Sequence, residues 1–212
     1  DPMDSLNWLL AQNARSKTYW SERDGGFEMA SIGIADELSL EPGQEYADLF
    51  RALSDRFKNS SGQSDLRYFG GFAFDPRNRD PGPLGRGRFI LPRFELTSLP
   101  GGSTYMACNL VFRAGHDSIA ECERALSELD AVTFDPAATG PDLQPPTHAT
   151  HFPDSATWSD RVQKVLDMID AGELEKLVLA RQTRLDFDTP PEPLRIVQKL
   201  KLKNQNCFHF CF

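Results

Sequence analysis

The chain has 212 residues, 40% hydrophobic and 25% charged, and its 23 Lys and Arg against 31 Asp and Glu leave a net charge of −8. This is globular composition rather than that of a disordered or membrane protein. A chain of this length buries roughly 70% of its unfolded surface, enough for one domain or two small ones. The acidic balance argues against a nucleic-acid partner, because no basic stripe offsets phosphate charge, and no apolar run approaches the ~20 residues that span a bilayer.

Asp1-Pro2-Met3-Asp4 has neither a basic nor an apolar leader character, so no signal peptide is expected. The cysteines Cys108, Cys122, Cys207 and Cys211 are irregularly spaced and give no disulfide framework. A reduced, cytoplasmic setting is the expectation. No obligate protein partner is evident.

Phe27 to Ala35 reads as a strand behind the hairpin turn Asp24-Gly25-Gly26. Glu45 to Phe57 is helical, with Tyr46, Leu49, Phe50, Leu53 and Phe57 on one face. Leu66 to Phe74 is a strand in which Gly70-Gly71 marks a bulge or a closely approaching backbone. A loop rich in Pro, Gly and Arg follows from Asp75 to Arg88. Phe89 to Leu96 and Thr104 to Arg113 are two more strands. Asp117 or Ser118 caps a helix through Leu129, with Ile119, Cys122, Leu126 and Leu129 as its expected buried stripe.

Asp135 to Asp154 holds five prolines and reads as an extended connection. The clearest helix comes next. Trp158, Val162, Val165, Leu166 and Ile169 recur at helical spacing, and Gly172 suits the left-handed position after its end. Leu174 to Phe187 is expected to be one long strand, and a last helix runs from about Pro190 to Lys203. Asn206 to Phe212 alternates as a strand ending in aromatics, a sticky edge when unpaired. That abrupt end, with the lack of Met at position 1, points to a fragment whose fold continues past Phe212. Strands joined by hairpin-length loops and mixed with helices predict an α+β fold with largely antiparallel sheets.

The sharpest chemical signal is Lys176 within Ala171 to Arg181. In a strand Lys176, Val178 and Ala180 share one face and Leu177 and Leu179 the other. Two apolar faces describe a central strand buried on both sides. A lysine at its mouth loses hydration, which favours the neutral amine of a general base. The competing reading is a lysine at a strand end that reaches water.

Other candidates are weaker. Cys207, His209 and Cys211 alternate onto one strand face, but residues two apart lie about 7 Å apart and cannot all reach one Zn²⁺. Buried thiols are the better reading. Arg77, Arg79, Arg86, Arg88 and Arg93 suit an anion, although Asp75 and Asp80 partly balance them and the composition is that of a solvated loop. His148 and His151 lie in the Pro-rich connection and read as solvated.

The segment Gly172-Glu173-Leu174-Glu175-Lys176-Leu177-Val178-Leu179-Ala180-Arg181 resembles the chorismate-utilising enzymes, and among them the isochorismate synthases of the menaquinone pathway. Tyr19 to Asp24 with Ile32-Gly33, Arg67 to Asp75, Phe89 to Leu96, Trp158, and Asn206 to Phe210 agree with the same family in order. The resemblance implies the N-terminal half of the chorismate-binding enzyme fold. On this basis 1–134 form an N-terminal α+β subdomain, 135–154 connect, and 155–212 open the catalytic domain.

It also implies conversion of chorismate to isochorismate, with Lys176 activating water for attack at ring C2, a glutamic acid protonating the leaving C4 hydroxyl, and Mg²⁺ held by glutamates. The segments supplying the acid and the metal ligands lie beyond Phe212 in that family, so only Lys176 is carried over, and the isolated chain is expected to be inactive. Arg181 matches the motif with a structural role at most. Salicylate and aminodeoxychorismate synthases of the same family, a siderophore-pathway isochorismate synthase, and a truncated binding or assembly module are the alternatives.

Overall fold

The computed structural model describes residues 3–23, 25–60, 66–75, 84–134 and 142–212. They form two compact units, one from the N-terminus through residue 141 together with Ile196–Phe212, the other Asp142–Arg195.

The first unit is built on an antiparallel sheet of β1 (Lys17–Ser21), β2 (Glu28–Ser39), β3 (Phe69–Phe72), β4 (Gly87–Ser98), β5 (Thr104–Cys108) and β8 (His209–Cys211). Its order is β3-β4-β2-β1-β8, and β5 also pairs with β4. β3 pairs with the first part of β4 and β5 with its last part, so the two lie along the same edge. The helices of this unit are α1 (Ser5–Ala11), α2 (Tyr46–Lys58), α3 (Ser118–Asp130) and the part of α5 (Pro193–Lys203) from Ile196 onward. The predicted α+β class and antiparallel pairing hold throughout.

Local chemistry explains the elements. Asp4 and Asp117 cap α1 and α3 by accepting from Asn7 N at 2.7 Å and Ile119 N at 2.9 Å, satisfying amides that the first helical turn leaves open. Asp48 closes the start of α2 by accepting from Glu45 N at 2.9 Å. The expectation from Gly70-Gly71 also holds: a Cβ on Gly70 would collide with the Arg88 carbonyl across the β3–β4 ladder.

One irregularity organises the sheet. In the β2–β4 ladder Ile34 faces Pro92, but Asp36 faces Leu91, so Ala35 is an extra residue. A one-residue slip moves every following side chain to the other face. Asp36 thereby turns away from the face that carries Ala30, Ile32, Phe94 and Leu96, all buried. That apolar face also carries Tyr19, opposite Ala30. Tyr19 Oη donates to Glu28 at 2.7 Å and accepts from Lys201 Nζ at 2.9 Å, which ties α5 to the sheet. Burial and the nearby carboxylates push the Tyr19 hydroxyl well above its usual range. Gln198 of α5 in turn donates to Asn7 of α1 at 2.9 Å, and α1 lies against β2 and β4 with Leu6, Trp8 and Leu9 buried.

Three expectations need correction here. The apolar stripe of α3 is only partly covered: Ile119 and Leu126 are 67% and 62% exposed and Cys122 and Leu129 half-buried, whereas Glu121 and Ala125 are buried. The reason is Arg93 on β4. Its side chain is 3% exposed and lies 2.7 Å from Glu121 and 2.9 Å from Glu128. A buried guanidinium demands paired acceptors, and this rotates the helix off its apolar stripe. Second, the strand expected over Thr104 to Arg113 stops at Cys108, because Asn109 bonds the Pro92 carbonyl at 3.0 Å and Glu95 at 2.6 Å. Third, Cys207 is exposed and Cys211 half-buried, so neither is a buried core thiol; His209 is the buried member.

β8 is the outer strand of this sheet among the described residues and pairs antiparallel with β1, Trp20 opposite Phe210. Trp20 meets Phe208, Phe210 and Phe212 at ring-centroid distances of 5.8, 5.7 and 6.5 Å.

The second unit contains β6 (His148–Phe152), α4 (Ser155–Asp170) and β7 (Gln182–Asp186). β6 and β7 form a two-stranded antiparallel sheet. Part of the segment expected to be an extended connection is therefore a strand, while 135–141 lie outside the described residues. No residue of α4 is buried, and its stripe is half-covered at best.

Candidate functional site

Lys176 follows directly from the end of α4. Asp154 caps the start of this helix, accepting from Thr157 N at 2.8 Å. At its other end Gly172 has φ +75°, with Gly172 N donating to Ile169 O and Glu173 N to Met168 O, both at 2.9 Å. This paired closure needs a left-handed residue, as Gly172 predicted. It turns the chain sharply and sends residues 173–181 away from the helix.

Those residues are not the strand that the sequence suggested. Only Gln182–Asp186 joins a ladder, with Gln182 opposite Phe152 and Asp186 opposite His148. Residues 174–181 pair with no strand among the described residues. Lys176 is exposed, and so are Leu177 at 47% and Val178 at 82%. A strand exists only through its neighbours, so an apolar sequence cannot bury itself where no described strand flanks it. The desolvation expected to tune Lys176 is accordingly not supplied by the described residues. Arg181 is also exposed.

The remaining candidates separate clearly. Arg86 donates to the Gln44 carbonyl at 3.1 Å, Arg88 pairs with Glu37 at 2.8 Å, and Arg93 with Glu121 and Glu128. These three are committed to the fold rather than gathered round an anion. Arg77, Arg79 and Asp80 lie outside the described residues. His148 and His151 sit on β6 and are exposed, His151 Nδ1 lying 2.9 Å from Thr183 Oγ1. Among the described residues no three His, Cys, Asp or Glu side chains gather to hold a metal ion. No helix among them is long and apolar enough to cross a membrane.

Sequence reasoning missed a dense polar cluster around Asp36. Asp36, whose side chain is wholly buried, accepts from Arg56 Nε at 2.7 Å, Tyr68 Oη at 2.9 Å and Arg113 Nη2 at 2.7 Å. Burial alone would raise this carboxyl. The Arg56 and Tyr68 hydrogen bonds and the two guanidinium charges outweigh it and hold the group below its usual range. Glu95 goes the other way, raised by burial despite its bond from Asn109. The available signal for such groups was a charged residue within an apolar strand pattern, as in Phe89-Ile90-Leu91-Pro92-Arg93-Phe94-Glu95-Leu96.

The family model for the chorismate binding enzyme matches residues 1–212. The chain belongs to the chorismate-binding enzyme family. Isochorismate synthase MenF of Escherichia coli is 29% identical over 99% of this chain and 44% of its own length. The Bacillus subtilis isochorismate synthase MenF is 24% identical over 99% of the chain and 47% of its own. A solved structure of the Escherichia coli menaquinone-specific isochorismate synthase superposes with a TM-score of 0.69 at 26% identity, covering 99% of this chain and 44% of that one. This family member thus spans less than half the length of the relatives it matches.

Proposed function

We propose that the protein carrying this chain is an isochorismate synthase of the menaquinone pathway. Water attacks ring C2 of chorismate, the C4 hydroxyl leaves, and the Lys176 amine takes the proton of the attacking water. Residues 155–212 open the catalytic domain in this proposal, and the protein works in the cytoplasm.

The observation that carries it is the match of 99% of the chain to an isochorismate synthase. The motif from Gly172 to Arg181 adds Lys176 as the base. The capped turn at Gly172 supports the role physically, because it fixes where the extended segment bearing Lys176 begins. Mg²⁺ is implied by the resemblance, but the described residues present no donor set that fits it. The resemblance likewise assigns the general acid to none of the described residues.

Incubating the protein with chorismate and separating the products by chromatography tests this directly. Isochorismate as the product is expected. Salicylate or aminodeoxychorismate would move the protein to another branch of the family, and complete absence of turnover in the full-length protein would leave a non-catalytic module.

A further inference from the structure

A cavity of about 650 Å³ lies between β2, the segment after β5 and α3. That is within the size range of small-molecule sites. Ile34, Val111 and Phe112 supply a small apolar wall in a lining that is otherwise mostly polar, Arg93, Arg113 and Arg124 included. Most of its charge is already spent. Arg93 pairs with Glu121 and Glu128, and Arg124 pairs with Glu121. Asp117 caps α3.

Arg113 differs from its neighbours. Its carboxylate partner Asp36 is shared with Arg56, so one carboxylate serves two guanidiniums and the cluster keeps one positive charge. The third group on Asp36 is the Tyr68 hydroxyl, which stays neutral. Arg113 reaches Asp36 through Nη2, and its side chain is 57% exposed. A guanidinium has five N–H donors in a rigid fork. The buried carboxylate therefore fixes the orientation of an exposed cation at the cavity, beside Phe112, which is 59% exposed.

We propose that this cavity binds a small organic monocarboxylate with a flat apolar body, the carboxylate on Arg113 and the body against Phe112, Val111 and Ile34. An inorganic anion would use the charge and waste the wall, while a neutral aromatic would do the reverse. Lys176 is not among the residues that line this cavity.

The test uses sodium benzoate as the probe, with benzyl alcohol as its neutral counterpart, by saturation-transfer NMR on the full chain. Saturable benzoate binding is expected, at least about tenfold tighter than benzyl alcohol, from one charge-assisted hydrogen-bonded contact. Arg113→Gln, checked for folding by circular dichroism, should erase that preference. Phe112→Ala alters an exposed position and should weaken both probes alike. Absence of saturable benzoate binding, equal binding of the two probes, or full retention of the preference in a folded Arg113→Gln protein would each overturn the proposal. So would unchanged binding in Phe112→Ala.

Discussion

Arg93 and Glu121 form a buried ion pair 2.7 Å apart, with side chains 3% and 7% exposed. One comes from the centre of β4 and the other from the inward face of α3, so the pair decides which side of the helix meets the sheet. Glu128 and Arg124 complete the network on either side.

Removing Glu121 leaves buried Arg93 with the part-exposed Glu128 as its remaining carboxylate partner among the described residues. Glu121→Ala should destabilise the chain by about 2 kcal/mol, less than a fully unpaired buried charge would cost, read as a lower urea midpoint. Arg93→Met combined with Glu121→Leu should recover most of that loss, because apolar groups of similar volume carry no desolvation cost. If the double substitution is no better than the single one, the pair is not what positions α3.

Acid sensitivity should trace to Asp36. Its folded pKa is depressed, so its contribution is fully present above the ordinary aspartate value of about 3.9 and is lost as pH falls through the folded value. Urea midpoints measured from about pH 5 down to pH 2 should therefore fall less steeply in Asp36→Asn than in the parent chain. Identical slopes would show that Asp36 is not an acid-labile tie between α2, Tyr68 and Arg113.

Gly172 should tolerate no side chain without cost. Nothing stands within 4 Å of a Cβ placed there, so the penalty is purely conformational. Gly172→Ala should lower stability by about 1 kcal/mol, visible as a reduced melting temperature. An unchanged melting temperature would mean that the α4 closure is not held by the left-handed residue.

The sequence made four of the five described helices and most strands legible because their signals are local, whereas the short α1 and the strands β1 and β6 were not read from it. Caps such as Asp117, the glycine at 172 and the apolar spacing from Trp158 to Ile169 depend on residues a few positions apart. What it missed depends on partners far along the chain. The extra residue Ala35 has no signature of its own, yet it sets the face of Asp36. The periodicity of α3 was clear, but Arg93, some 28 positions away, overrode it. At Lys176 the motif was readable from the residues alone, while the strand around it was not, since strand formation needs a neighbour that the described residues do not provide.

The central claim is that Lys176 is the base for water attack on chorismate. The measurement that tests it most directly is the steady-state rate of isochorismate formation by Lys176→Ala in the protein carrying this chain, with folding checked by circular dichroism. Loss of a general base should lower kcat by at least about 100-fold with little change in KM. A folded variant that keeps the parent rate would contradict the assignment.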